Sequence, residues 1–254
     1  MADHLNPNRH LDLEGSYNVR DLGGYPGENG RKTRWEMFLR SGSMHRMTPR
    51  AQSALIDLGV RTVIDLRTTR EVQERPNVFA DGSMVAYYHL NMIGDDPLDE
   101  SSVAEATGEP AETIVHSYCI FLDQRQTKIG QILHALSRDG AQPVVFHCAG
   151  GKDRTGIISA LILGIAEVPL HLIAQDYALS ARFLLDRYFA EEAPPGISAA
   201  NFTWRDFERA FCPADAMLTV LKYLQQEYDG VLGYAKTVGL SDDEITTLRD
   251  KILQ

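Results

Sequence analysis

The stretch Val144–Leu163, VVFHCAGGKDRTGIISALIL, decides how the chain folds. Val144-Val145-Phe146 is a short, bounded, fully apolar run of the kind that fills a buried parallel strand. Ala149-Gly150-Gly151 then breaks the run, and Lys152, Asp153 and Arg154 follow together. From Thr155 to Ala166 the chain is apolar on nearly every face, and a helix without a polar side belongs inside a molecule. The unit is a strand, a charged turn and a buried helix, the elementary piece of an α/β sheet.

The flanking sequence extends that pattern. Residues 47–60, MTPRAQSALIDLGV, predict a helix capped by Thr48, with Pro49 in its first turn and Gly59 at its end, running into a strand at 62–66, TVIDL. Residues 84–90, MVAYYHL, predict another strand. Further helices are expected in 169–189, 216–228 and 241–253, the last with Ser241 and Glu244 as a capping box. The resulting fold class is α/β, a central mostly parallel sheet flanked by helices, with additional C-terminal helices. Acidic residues Asp95, Asp96, Asp99, Glu100, Glu105, Glu109 and Glu112 fall in a stretch with no Lys or Arg between Arg75 and Arg125, read as a solvated loop.

A chain of 254 residues suits one large domain, so residues 1–254 are expected to form a single unit, with 183–212 as a helical lid or a peripheral hairpin. The net charge of -10 disfavours bulk nucleic-acid binding. Three cysteines, Cys119, Cys148 and Cys212, lack the short paired spacing of a disulfide framework or a zinc cluster and suit a reducing compartment. No stretch has the length of a signal core or a membrane span, so stable membrane insertion is not expected and a cytoplasmic location is, with signal-independent export left open.

The charged turn suits phosphate chemistry without a metal or other cofactor. At a strand-to-helix turn, unpaired helix N-terminal amides and successive loop amides form a positive concavity that favours a thiolate at Cys148. Ala149, Gly150, Gly151 and Lys152 would line that concavity, the glycines letting the backbone approach an oxyanion closely. Arg154 offers a planar fork for two oxygens, and Thr155 a hydroxyl for the sulfur. Metal ligation is not expected, because His147 and Cys148 are adjacent on a strand and face opposite ways. A nucleotide-binding phosphate loop fails as well, since Asp153 follows Gly151-Lys152 where Ser or Thr is required.

The run HCAGGKDRTG at 147–156 resembles the phosphate loop of the cysteine-dependent protein tyrosine phosphatase superfamily, and in particular its bacterial atypical dual-specificity branch. The blocks YNVRDLGGY at 17–25, FLRSGSM at 38–44, TVIDLRTTRE at 62–71 and QDYALS at 175–180 resemble that branch in the same order. The resemblance implies Cys148 as nucleophile, a phosphocysteine intermediate, Arg154 as phosphate clamp, and a phosphorylated protein or a phosphoinositide as the partner. A catalytically silent phosphate-binding module is the alternative.

Several roles stay open in the sequence. The proton donor is Asp153 inside the loop, or Asp95 or Asp96 on the acidic stretch, or Asp65, or no protein acid. Lys152 is a solvated charge or a second cation over the pocket. Asn18, Arg20 and Asp21 are read as pinning the N-terminal loop to the sheet rather than touching substrate. Asp65 and Arg67, at the end of the strand at 62–66, face the active-site edge of an α/β sheet or are explained by a structural Arg67–Glu71 pair.

Overall fold

The strands are β1 (Arg20–Asp21), β2 (Phe38–Ser41), β3 (Thr62–Asp65), β4 (Ala86–His89) and β5 (Val144–His147), and they form one sheet in the order β1-β2-β5-β3-β4. β1 pairs antiparallel with β2, and all other pairings are parallel. This computed structural model describes residues 9–82, 84–99, 108–194 and 200–254. The expected strands form where the apolar runs place them, with β5 at the centre and fully buried.

Period-two alternation distributes the strand residues over two cores. Val63, Leu39 and Val145 face α1 (Pro49–Asp57) in a smaller cluster with Met44, Met47 and Leu55. Phe38, Ile64, Val144, Phe146 and, past the strand end, Cys148 face the larger cluster. That second core is built around α5 (Asp153–Ile165), on which ten residues from Thr155 to Ile165 are buried, as its unbroken apolar character requires. α1 starts as the sequence predicts: Thr48 accepts the Ala51 amide, Pro49 fills the first turn, and Gly59 follows at φ +88°.

Two expectations are corrected. The acidic stretch is not all loop: Glu112 lies on α3 (Pro110–Gln124), a helix with Pro at its first position and buried Tyr118, Cys119, Ile120 and Leu122. Glu100 and Glu105 lie outside the described residues. The single helix expected over 169–189 is two, α6 (Leu170–Ala178) and α7 (Ser180–Arg187), followed by a wide helical turn at Tyr188–Glu192. At the break, the Arg20 guanidinium takes the Asp176 carbonyl at 2.8 Å, the acceptor that would serve Ser180 in an unbroken helix.

The remaining helices are α2 (Thr69–Glu74), α4 (Gln126–Ser137), α8 (Trp204–Phe211), α9 (Ala214–Tyr228), α10 (Gly230–Thr237) and α11 (Asp242–Ile252), whose Ser241–Glu244 capping box forms as expected. The fold is thus the expected α/β sheet with a helical C-terminal part. Among the described residues no helix is long and apolar enough to cross a membrane.

Candidate active site

The C-terminal ends of β2, β3 and β5 open on one edge of the sheet, where an open α/β fold offers its binding crevice. The loop after β5, residues 148–152, turns there into the N-terminus of α5. The carbonyls of 149–151 are held by neighbouring segments. Ala149 O accepts the Ser43 amide at 2.8 Å. Gly150 O and Gly151 O accept the Asn18 amide group at 3.2 and 2.9 Å, and Gly151 O also accepts Arg40 Nη2 at 2.7 Å. The amides of Ala149, Gly150, Gly151 and Lys152, by contrast, donate to no acceptor among the described residues. A loop whose carbonyls are tied back and whose amides are left over is a nest for an anion.

Gly151 is required by this geometry twice over. Its φ is +68°, and a Cβ there would lie 2.5 Å from the Ser41 carbonyl. Cys148 sits at the base of the loop, only 2 % exposed, on the same side of the sheet as Val144 and Phe146. His147 is fully buried on the other side. Its Nδ1 lies 3.1 Å from the Cys148 carbonyl and its Nε2 2.7 Å from the Asn77 amide. Asn77 Oδ1 already accepts the Phe79 amide, so the Asn77 nitrogen donates and Nε2 accepts. Burial lowers the His147 pKa. The ring is therefore a neutral strut carrying its proton on Nδ1.

Beneath the loop lies a buried ionic network. Asp176 on α6 receives Arg40 Nη1 at 2.6 Å, Arg20 Nε at 3.2 Å and the Tyr25 hydroxyl at 3.0 Å. Arg20 also bonds Asn18 Oδ1. Burial opposes the Asp176 charge, but the two guanidinium groups hold its carboxyl far below the usual range. Two cations on one carboxylate leave excess positive charge under the loop, and Arg40 is lowered to about 10, by burial first and then by Arg20. Asn18 and Arg20 thus pin the phosphate-type loop itself. Asp21 serves the neighbouring turn by accepting the Gly23 and Glu36 amides.

Arg154, in the first turn of α5, projects beside the loop and is gripped by Glu71 of α2, Nη1 to Oε2 at 2.5 Å and Nη2 to Oε1 at 2.9 Å. This corrects the expected Arg67–Glu71 pair: Arg67 turns back to Asp65 at 2.6 Å, and Glu71 belongs to Arg154. Two of the five guanidinium N–H groups are used, leaving Nε–H and one proton on each terminal nitrogen for a ligand. Burial works against ionising Glu71, yet Arg154 and the Thr68 amide and hydroxyl hold it at about 2. Thr68 and Glu71 are also the capping box of α2, so one carboxylate both starts that helix and orients the arginine.

Two clefts meet at Ala149 and Arg187. One is walled by Tyr17, His45 and the guanidinium groups of Arg46, Arg67 and Arg75. The other is walled by Lys152, Asp153, Leu184, Tyr188, Phe207 and Phe211. Lys152 Nζ donates to the Phe211 carbonyl at 2.9 Å and lies 3.4 Å from Asp153, linking the loop to α8. Asp153 is in the wall of a cleft, whereas Asp95 is bound at the α2 end by Thr69 and Asn91, at 2.9 and 3.0 Å, and lines neither cleft; nor does Asp96. Asp65 is fully buried against Arg67. Thr155 Oγ1 is buried without a hydrogen-bond partner, so the bond expected between it and sulfur is not made here. Among the described residues no group of three or more His, Cys, Asp or Glu side chains converges as metal ligands would.

Residues 11–254 match the tyrosine phosphatase family. The chain belongs to that family. A tyrosine-protein phosphatase of Nostoc commune is 33% identical over 86% of this chain and 75% of its own length. The triple specificity protein phosphatase PtpB of Mycobacterium tuberculosis is 25% identical over 95% of this chain and 98% of its own. A putative tyrosine-protein phosphatase of Cupriavidus necator is 28% identical over 63% and 59%. This tyrosine phosphatase is a phosphoric monoester hydrolase of the bacterial branch that the loop sequence resembles.

Glu71, Asp176 and Arg40 are residues whose partners at the site sequence reasoning missed. Glu71, Asp176 and Arg40 lie in blocks of the family resemblance, at 62–71, 175–180 and 38–44, but that signal does not say which cation each carboxylate meets.

Proposed function

We propose that this phosphatase hydrolyses phosphomonoesters without a metal, through a phosphocysteine at Cys148, with phosphotyrosine as its first substrate class. The observation that carries the reading is the loop 149–152, four free amides around a buried thiol with Arg154 held alongside. Cys148 Sγ attacks phosphorus as the bond to the leaving oxygen breaks, the equatorial oxygens resting on the loop amides and Arg154. Asp153 is the proton donor to the leaving oxygen, supported by its place in the cleft wall. Water then attacks the thiophosphate, Asp153 takes its proton, the S–P bond breaks, and inorganic phosphate leaves with the thiolate restored.

The aromatic wall of Tyr188, Phe207 and Phe211 suits the ring of a phosphotyrosine. The cleft beside it carries Arg46, Arg67, Arg75 and Arg187 together with Glu71, Glu74 and Glu191, and a phosphoinositide or an acidic phosphopeptide as a second substrate class would have to compete with those carboxylates for the arginines. Residues 183–212 supply that aromatic wall and contact the loop through Arg187 and Phe211, which supports a lid within a single domain.

The test is release of phosphate from a phosphotyrosyl peptide with and without EDTA, alongside Cys148→Ser. Turnover that ignores EDTA, a phosphate adduct on Cys148 trapped in the wild type, and a Ser variant that binds vanadate without turning over are expected. Binding of phosphopeptide by the wild type with no turnover would leave a silent phosphate-binding module instead.

A further inference from the structure

Tyr118 plays no part in the scheme above, yet its hydroxyl lies in contact with the proposed acid. It projects from α3, is 2 % exposed, and donates to Asp153 Oδ1 at 2.6 Å. Its oxygen is 2.9 Å from the hydroxyl of Tyr177 on α6. A phenol has one proton. With the Tyr118 proton spent on Asp153, Tyr177 must donate to Tyr118, and the chain runs in one direction, Tyr177 to Tyr118 to Asp153. Burial above all raises both phenols well above their usual range, so both remain O–H donors at any working pH.

The consequence falls on one oxygen of the carboxyl group. Oδ1 receives Tyr118 and also has Lys152 Nζ at 3.4 Å, two donors on the same atom. Oδ2 makes no hydrogen bond among the described residues. A proton on Oδ1 would face donors, so a protonated Asp153 carries its proton on Oδ2. We infer that Tyr118, backed by Tyr177, is the positioning residue of the acid: it fixes the rotation of Asp153 and directs its proton to Oδ2, the oxygen left for the substrate. The inference rests on Asp153 being the acid. The charged and titratable groups around Asp153 are Lys152 and Arg154 on its own segment, Tyr118 from α3, Tyr177 from α6, and Cys212 after α8.

The test compares Tyr118→Phe, Asp153→Asn and the double variant on phenyl phosphate, whose leaving group needs a proton, and on 2,4-dinitrophenyl phosphate, whose leaving group does not. Asp153→Asn establishes the acid by losing rate on the first substrate only. Tyr118→Phe is then expected to lose about tenfold in kcat on phenyl phosphate and little on the dinitrophenyl ester. Its KM should stay nearly unchanged. Adding Tyr118→Phe to Asp153→Asn should change nothing further. A Tyr118→Phe loss equal on both substrates, or additive to Asp153→Asn, would make Tyr118 a packing residue and leave the acid assignment standing. An Asp153→Asn variant with no leaving-group dependence would remove both. Tyr177→Phe, expected to have a smaller effect of the same kind, and a melting curve for each variant guard against misfolding.

Discussion

Arg154 and Glu71 show how a single pair links chemistry to fold. To clamp phosphate as proposed, the guanidinium must be charged, planar and aimed, and a carboxylate that uses two of its N–H groups aims it while leaving three. Arg154→Lys keeps the charge and loses the fork, so kcat and kcat/KM are expected to fall together by on the order of 10²-fold. A loss confined to KM would make Arg154 a docking residue. Glu71→Gln leaves Arg154 in place but less firmly held, and a kcat loss of roughly tenfold with nearly unchanged KM is the expected steady-state result. Unchanged kcat would show that the loop alone orients Arg154.

At the scale of elements, the capping box of α2 is part of the site. Thr68 gives both its amide and its hydroxyl to Glu71 Oε2, the oxygen that also receives Arg154 Nη1. Thr68→Ala is expected to cost about 0.5 to 2 kcal/mol in denaturant unfolding and to lower kcat as well. A stability loss with full kcat would separate the cap from the catalysis. The segment 183–212 is the other element to test. It is bound to the loop at Ala149 by Arg187 and at Lys152 by the Phe211 carbonyl. Gly196, after Pro194-Pro195 in the sequence, is the cleavage point we expect in this segment and lies outside the described residues. Proteolysis there should be faster in the free protein than with vanadate bound. Equal rates in both states would reduce the segment to a peripheral hairpin.

Over the whole molecule, carboxylates set the response to acid. Glu71 and Asp65 are each held at about 2, below the free values of about 4.3 and 3.9. For both, burial works the other way and is overcome, at Glu71 by Arg154 and at Asp65 by the Arg67 guanidinium. Their folded values are depressed, so the stability they contribute is present above the free value and is lost as pH falls towards 2. Asp21 has the opposite sign. Burial raises it to about 6, so its contribution is present below about 3.9 and is lost as pH rises through 6. Melting temperature is therefore expected to fall as pH drops from about 4 towards 2, and the Asp21 contribution to decline between about 4 and 6. Asp176→Asn strips the only carboxylate from between Arg20 and Arg40 and should cost about 3 to 5 kcal/mol near pH 7. That difference should narrow below pH 4, where the wild-type unfolded chain holds the proton. A difference that does not vary with pH would mean that packing, not charge, is what Asp176 contributes.

The sequence alone determined what is local. The strand, the glycine turn and the apolar helix of 144–166, the caps at Thr48 and Ser241, and the assembly of an anion loop at Cys148 all follow from residues within a turn or two of one another. Tertiary structure decided the pairings. Glu71 lies 4 residues from Arg67 and 83 from Arg154, yet it bonds the distant one, because Arg67 is held at the strand end by Asp65 while the Arg154 side chain reaches the first turn of α2. The break between α6 and α7 depends on Arg20, 156 residues away from Asp176, and the Tyr118–Asp153 bond joins helices that sequence reading had no reason to bring together. Periodicity and capping are written in neighbouring side chains. Which buried cation meets which carboxylate is set by where the sheet places each strand end, and that is fixed only once the whole chain has packed.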